Sequence, residues 1–110
     1  MEGERIIIEN RGAIYAIAER DIFYLEQVGR KVNVHVSGQT YSFYGKLSET
    51  GKLLDRNFFM SHGSCIFNME QIVGIRGQEI YFSDGSNVAF GKRSTARFRE
   101  IFRDYVAKSF

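Results

Sequence analysis

Residues 21–44 read DIFYLEQVGRKVNVHVSGQTYSFY, and this stretch decides the fold. From Val32 to Val36, valines alternate with polar residues, which is the two-residue period of a strand with one buried face. A β-branched and aromatic strand from Asp21 to Val28 precedes it, and an alternating strand from Thr40 to Tyr44 follows. Turns are expected at Gly29-Arg30 and Ser37-Gly38. The stretch therefore predicts consecutive antiparallel hairpins.

Further short strands are expected on both sides of this stretch. Each is a short run of apolar or alternating residues cut off by a glycine or another turn residue. Isoleucines 14 and 17 of the second strand are expected to contact the core, and Lys46–Leu54 is expected to contain a short helix. The other predicted strands are Arg5–Glu9, Ala13–Ala18, Phe58–Met60, Ser64–Phe67, Ile72–Ile75, Glu79–Phe82 and Asn87–Phe90.

The last segment changes to a helical period. Its apolar residues recur at i, i+3, i+4, i+7 and i+8, which places them on one face of a helix. These residues are Phe98, Ile101, Phe102, Tyr105 and Val106. Ser94 or Thr95 is expected to cap the helix. Short strands with one short central and one C-terminal helix indicate a mainly β fold.

Composition bounds the class of protein. The 110 residues suit one domain, 1–110, and 44% of them are hydrophobic, enough for a sizeable core. Neither a signal sequence nor a spanning apolar segment is visible, so we expect a cytoplasmic protein without a membrane partner. The single cysteine, Cys65, lies in an apolar run and is expected to be an inert thiol. Two histidines without an acidic cluster predict no metal, and no cofactor is expected.

The sequence does not favour an enzyme. His62 and Cys65 lie three residues apart, but a catalytic cysteine needs an exposed thiolate and an oriented base. The eleven glycines mark turns and form no phosphate-binding loop. The net charge of +2 is weakly basic, yet cations crowd the last twenty residues. This charge distribution favours binding of an anionic partner over catalysis.

Three groups of residues resemble the LytTR-type DNA-binding domains of the LytR/AgrA family of bacterial response regulators. Asp21–Val32 is similar to the family's opening motif, and Phe58–Asn68 (FFMSHGSCIFN) is similar to its central signature, F-x-R-x-H-R-S-x-x-V-N. Ile80–Gly85 and Val88–Arg93 match the last hairpin and the loop after it. The matches follow in order over roughly residues 5–103.

The resemblance implies both a fold and a function. The fold is an elongated antiparallel β structure of about ten short strands in stacked sheets. The function is sequence-specific DNA binding by the output domain of a transcription regulator in a two-component system, with loops inserted into successive major grooves. The implied partner is double-stranded DNA carrying promoter repeats. A receiver domain in the same native chain and a homodimer are further partners that the resemblance leaves open.

The resemblance also assigns candidate contacts to three loops. Arg30 and Lys31 lie at a turn and suit base and phosphate contacts, although a charged turn kept for solubility is the alternative. His62 and Ser64 occupy the second loop, where a structural role is favoured for His62 and for Asn68. Lys92 and Arg93 are the candidates in the third loop. Apart from these loops, Lys46, Arg56 and Arg97 are candidate phosphate contacts, and a solvated surface residue is the alternative for each.

Three positions depart from the family pattern. Met60 stands where an arginine is usual, and Gly63 stands where a cation or amide is usual. Lys92 stands where the family has an arginine, so the planar fork that binds guanine is lost there. The alternative function is therefore a LytTR-like protein-interaction or dimerisation module with weakened DNA binding. Its docking surface would be the strand Thr40–Tyr44 or another unpaired edge.

Overall fold

The computed structural model describes residues 4–61 and 64–109, with the side chains of the C-terminal helix described from residue 94 to 108. These residues form ten strands and two α-helices. The strands are β1 (Arg5–Asn10), β2 (Ala13–Ala18), β3 (Ile22–Val28), β4 (Lys31–Val36), β5 (Gln39–Tyr44), β6 (Phe58–Ser61), β7 (Cys65–Asn68), β8 (Ile72–Arg76), β9 (Glu79–Phe82) and β10 (Asn87–Ala89). The helices are α1 (Leu47–Thr50) and α2 (Lys92–Ser109).

The strands form three antiparallel sheets. A five-stranded sheet has the order β5-β4-β3-β7-β6, a three-stranded sheet has the order β10-β9-β8, and β1 pairs with β2. The hairpins predicted from residues 21–44 are the centre of the large sheet, with Gln27 opposite Val32 and Val32 opposite Phe43. The mainly β fold with a short central helix and a C-terminal helix is confirmed.

An aliphatic core joins the first hairpin to the large sheet. Val32 and Val34 of β4 are fully buried, as their alternation predicts. They pack with Leu25 of β3 and with Ile8 of β1, and Leu47 of α1 is buried in the same cluster. Burying such a side chain contributes about 1.5–3 kcal/mol each, so this cluster fixes the register of β3 and β4.

An aromatic core lies between the large sheet, the three-stranded sheet and α2. Phe23 stacks on Phe82 with ring centroids 5.0 Å apart, and Phe67 lies 5.1 Å from Phe98 of α2. Phe98 is 1% exposed, which confirms the helical face expected from the spacing of the apolar residues. This core holds α2 against the side of the large sheet.

Two local predictions are wrong. Ile14 is 67% exposed, because it lies opposite Glu9 on the outer face of the first hairpin, whereas Ile17 packs against the core as predicted. Neither Ser94 nor Thr95 caps α2, which begins at Lys92. Thr95 is buried within the first turn, and its hydroxyl donates to the Gly91 carbonyl at 2.8 Å. The Thr95 side chain therefore bonds to the backbone four residues before it, from a position inside the helix, and does not cap the helix from outside.

The helices are short or amphipathic. Within the described parts of the chain, no helix has both the length and the apolar character needed to cross a bilayer.

Cys65 is half-buried in β7, and burial raises the pKa of its thiol, with Glu26 adding to the effect. A raised pKa keeps the thiol protonated and unreactive at neutral pH, in agreement with the sequence.

Candidate functional site

Several predicted site residues meet at one end of the five-stranded sheet. β3 and β5 end there and β4 begins there, because neighbouring strands run antiparallel. β6 ends and β7 begins at the same end, since Ser61 lies opposite Cys65, which lies opposite Glu26. We call this the cationic end and define it by Arg30, Lys31, Lys46 and Ser64. The fold thus gathers residues from three separate stretches of sequence.

The side chain of Gln27 holds these loops together. Its amide nitrogen donates to the carbonyls of Gly29, Lys31 and Gly45 at 3.0, 3.1 and 3.0 Å. Its amide oxygen accepts from the backbone N–H of Leu47 at 2.7 Å. One side chain therefore satisfies backbone groups on both sides of the β3–β4 turn and at the start of α1. The loops that carry the cations are joined by direct bonds and not only by the sheet.

Two glycines make this arrangement possible. Gly29 has φ of 61°, a left-handed conformation that most side chains avoid, and so it allows the tight turn before Arg30. Gly45 donates its N–H to the Arg30 carbonyl at 3.0 Å. A Cβ atom on Gly45 would lie 3.0 Å from the ring of Phe43. Gly29 is therefore favoured by the conformation of the turn, and a larger residue at position 45 would have to displace the ring of Phe43 slightly.

The two cations of the turn differ in freedom. Arg30 is exposed at the tip, where its guanidinium can reach a partner outside the protein. Lys31 is half-buried, and its Nζ lies 5.1 Å from the ring centroid of Tyr44. Such a cation–π contact orients the ammonium group while leaving its charge near the surface. Arg30 is thus free to extend into solvent, whereas Lys31 is held against the ring of Tyr44.

Lys46 lies where β5 gives way to α1. Its side chain is exposed, and its carbonyl accepts from the N–H and the hydroxyl of Thr50 at 3.0 and 3.1 Å. These bonds fix the backbone at Lys46 one residue beyond the Gln27 contact with Gly45. Lys46 and Arg30 therefore lie on one hydrogen-bonded unit, formed by the β3–β4 turn and the start of α1, which we call the platform.

The second predicted loop is described at its edges. Ser64 is exposed, and its carbonyl accepts from the Gln27 N–H at 2.9 Å, so it adjoins the platform. His62 and Gly63 lie outside the described residues. The structural role predicted for Asn68 is confirmed, since this residue is fully buried. Its side chain donates to Ile22 at 2.9 Å and accepts from Asn57 at 2.7 Å.

The third predicted loop leads into α2. Lys92 and Arg93 form the first turn of the helix, but their side chains lie outside the described part of the structure. The turn is placed by Thr95, whose N–H donates to the Gly91 carbonyl at 2.8 Å. Ser94 and Ser61 line one cleft, so the start of α2 adjoins the end of β6. Arg97, a predicted phosphate contact, lines the same cleft.

The opposite end of the sheet has different chemistry. Five carboxylates lie there or beside it, and we call it the acidic end. They are Glu19, Asp21, Asp55, Glu70 and Asp84. Asp84 accepts from the Ser37 hydroxyl at 2.9 Å, and hydrogen bonds from Ser86 lower the pKa of its carboxyl. Burial raises the pKa of Glu19, against a hydrogen bond from the Asp55 N–H. Arg56, another predicted phosphate contact, is exposed at this end, remote in the sheet from Arg30.

The sequence did not single out Gln27, although a signal was present. Leu25 and Gln27 are two residues apart and so share the inward face of β3, where an apolar residue is expected. The next residue, Val28, is apolar, yet it lies on the other face of β3 and is 52% exposed. A polar residue on the inward face of a strand, beside an exposed valine, indicates a side chain with backbone partners to satisfy.

A second cluster was also missed. Nε2 of His35 lies 2.8 Å from Oε1 of Glu26, and the imidazole stacks on Tyr24 with ring centroids 4.1 Å apart. Burial, followed by the Glu26 charge, raises the pKa of Tyr24 to about 12. These residues lie in mid-sheet and partner each other. No group of metal-ligating side chains was found within residues 4–61 and 64–109.

Comparisons with known proteins identify the family and agree with the observed fold. A family model described as the LytTr DNA-binding domain matches residues 12–103. A solved LytTr DNA-binding domain from Bacillus cereus superposes with a TM-score of 0.72 at 20% identity, covering 88% of this chain and 94% of that one. The Transcriptional regulatory protein NatR of Bacillus subtilis (strain 168) is 28% identical over 69 residues. That match spans 62% of this chain and 30% of the relative's length.

Proposed function

Because the chain belongs to the LytTr DNA-binding domain family, we propose that it binds double-stranded DNA sequence-specifically through its cationic end. The loops of that end would enter successive major grooves, while the sheets stay outside the duplex. The supporting observation is the set of four hydrogen bonds by which Gln27 joins the β3–β4 turn to the start of α1. Preorganised cations lose less conformational entropy on binding than free side chains do.

The loops suit different parts of the DNA. Arg30 is exposed at the tip of a turn, where its planar fork can pair with the edge of a guanine. Lys31 and Lys46 flank it and suit phosphates, which fix register without reading sequence. Ser64 adds a hydroxyl at the edge of the same platform.

The start of α2 supplies the second contact region. Lys92 and Arg93 bring charge to a helix N-terminus, where backbone N–H groups also favour a phosphate. The end of β6 and the start of β7 link the two regions. Ser64, just before β7, adjoins Gln27, and Ser61, the last residue of β6, shares a cleft with Ser94. A continuous surface for one face of a duplex would result.

The departures from the family pattern predict weaker binding than the full set of cations would give. Met60 is 38% exposed beside this surface and offers no charge. Each missing phosphate contact lowers the slope of affinity against salt by roughly one. A modest salt dependence is therefore the expected signature of this chain.

The biological role follows from the same proposal. We propose that the chain is the output domain of a cytoplasmic transcription regulator and does not act as an enzyme. The NatR match covers only part of that relative, so a receiver domain in the same native protein is a fitting source of control. Promoter repeats would be bound by two copies, either as a homodimer or side by side on the DNA.

A matched pair of double variants tests the proposal. Duplexes selected from a random pool serve as probes, and affinity is measured by fluorescence anisotropy over a series of salt concentrations. Lys31→Ala with Lys46→Ala removes two proposed phosphate contacts at the cationic end and should lower the salt slope by about two. Arg56→Ala with Lys108→Ala removes the same charge beside the acidic end and should leave the slope unchanged. Equal losses for both pairs would contradict the proposal.

The interaction-module alternative receives less support. Its suspected docking strand, β5, is partly covered, because the Asn10 side chain donates to the Ser42 carbonyl at 2.9 Å. The ring of Tyr15 also packs 4.8 Å from that of Tyr41. The salt series separates the two functions, since binding of a protein partner would leave selected duplexes without specific affinity.

A further inference from the structure

A buried hydroxyl at the end of β6 has no partner. Ser61 is 8% exposed, and its Oγ forms no hydrogen bond with any described residue. A buried polar atom without a partner is costly, because it has lost its hydrogen bonds to water. In native proteins such an atom calls for an explanation, and a ligand is one of the few available.

The hydroxyl belongs to a cleft between β6 and α2. The cleft has a volume of about 280 Å³, close to the smaller ligand pockets of proteins. It combines an apolar surface with three polar side chains. It is lined by Phe59, Met60, Ser61, Ser94, Arg97, Phe98 and Ile101.

The polar groups of the cleft are all able to donate hydrogen bonds. Ser61 and Ser94 contribute hydroxyls, and Arg97 contributes a guanidinium. Arg97 is exposed, and the described residues offer it no ion pair. A guanidinium fork matches the geometry of a carboxylate, and hydroxyls complete the pairing of its oxygens. The cleft contains no acidic side chain that would repel an anion.

The apolar groups select the rest of the ligand. The rings of Phe59 and Phe98 lie 6.0 Å apart, and Met60 and Ile101 complete the wall. Inorganic phosphate has no group to fill this apolar surface, whereas a ring or a branched aliphatic group does. We propose that the cleft binds a small carboxylate with an aromatic or branched aliphatic body. The carboxylate pairs with Arg97 and Ser94, and the Ser61 side chain rotates toward the cleft so that its hydroxyl donates to the same carboxylate.

The position of the cleft gives the ligand a way to act. Ser61 directly precedes residues 62 and 63, and Ser94 lies in the first turns of α2. A bound anion would place negative charge beside the loops that carry His62 and Lys92. Competition with DNA is therefore expected, and this consequence alone rests on the proposed function. Binding of the ligand itself does not.

Binding is tested without DNA, by titrating ¹⁵N-labelled protein with phenylacetate and following amide shifts. Saturable shifts at Ser61, Ser94 and Arg97 are expected, and neutral phenylacetamide and inorganic phosphate should bind at least tenfold more weakly. Arg97→Gln should weaken phenylacetate binding about tenfold, as for one lost charged pair. Arg103→Gln, the same change further along α2, should leave it unchanged. No saturable shift, or equal affinity for phenylacetamide or phosphate, would overturn the proposal.

Ser61→Ala gives a readout that separates a ligand contact from a structural one. It should weaken phenylacetate binding severalfold and, in the free protein, raise the unfolding temperature, because the unpartnered hydroxyl is gone. A fall in unfolding temperature with unchanged binding would assign the serine to the fold and overturn its proposed role. If phenylacetate binds as expected but no duplex does, the proposed function fails while this inference stands.

Discussion

The two ends of the five-stranded sheet are formed by the same strands but differ in the loops and side chains that follow them. At the acidic end, Asn68 is fully buried and bonds to four backbone or side-chain groups. At the cationic end, Gln27 makes a similar number of bonds from a half-buried position, yet Arg30 and Lys46 beside it remain exposed. Both ends use an amide side chain to join loops. The exposed charges on the loops so joined differ in sign, with Arg30 and Lys46 at one end and Asp55 and Glu70 at the other.

The difference separates what holds the fold from what faces a partner. Buried amide networks carry a high penalty when broken, so the acidic end is expected to determine stability. The cationic end has its backbone satisfied and its charges in solvent, so it is expected to determine binding. Variants at matched positions of the two ends should therefore move different observables.

The largest effect on stability is expected from Asn68→Ala. This change leaves the Glu70 N–H and the Ile22 carbonyl without their partner, and we expect a loss of about 3 kcal/mol in the free energy of unfolding. Urea denaturation measures it. Asn87→Ala, which removes one exposed bond to Glu79, is the control and should change stability by no more than about 0.5 kcal/mol. Equal losses of stability in the two variants would contradict the expectation that the acidic end determines the stability of the fold.

Next in size is the effect of Arg30→Lys on sequence discrimination. The charge stays, but the planar fork that pairs with a guanine is lost, so discrimination at one base pair should fall by about 1–3 kcal/mol. The salt slope should be unchanged, because the number of phosphate contacts is the same. Competition between single-base variants of the selected duplex measures it, with Arg56→Lys as the control. Unaltered discrimination would exclude Arg30 from base contact.

A smaller effect on DNA affinity is expected from Gln27→Ala, which changes no charge. Loss of the platform should weaken binding by about tenfold, equivalent to roughly 1.4 kcal/mol of lost preorganisation. The control is Gln71→Ala at the acidic end, where the side chain bonds to the Arg20 carbonyl and to Ser83. Both variants should be less stable to urea, but only the first should bind DNA more weakly. A parallel loss of affinity in both would mean that global stability alone is responsible.

The smallest effect is a pH dependence at the acidic end. Hydrogen bonds from Ser86, then from Ser37, lower the pKa of Asp84 below its ordinary value of 3.8. The unfolded chain therefore binds this proton more readily than the folded one, so the stabilisation is full above 3.8 and is lost as pH falls through the folded pKa. Asp84→Asn should be less stable than the native chain at neutral pH, and the difference should shrink on acidification. A constant difference would contradict this assignment.

Much of the fold could be predicted from the sequence because its signals are local. The alternation from Val32 to Val36 and the helical spacing from Phe98 to Val106 are both confirmed. Ile14 was misplaced because it is three residues from Ile17 in one strand, so the two-residue period places the two side chains on opposite faces and only one of them meets the core. The start of α2 was misplaced because Thr95 bonds backward to Gly91, which no spacing rule reveals.

The site was harder to predict than the fold. Resemblance indicated Arg30, Lys31 and Ser64, and charge alone indicated Lys46; the structure brings all four to one end of the sheet. Gln27, which joins their loops, carries no charge and matches no motif. The unpartnered hydroxyl of Ser61 cannot be read from sequence at all, because burial without a partner is a property of the packed protein.

The most direct test maps both ends of the sheet in one measurement. Amide shifts of ¹⁵N-labelled protein are recorded on addition of a selected duplex, with Gly29, Gly45 and Gly91 as reporters of the proposed interface and Gly38 and Gly85 as reporters of the acidic end. We expect the first three to shift or broaden and the last two to stay in place. Shifts confined to Gly38 and Gly85 would show that DNA binds elsewhere and would contradict the account.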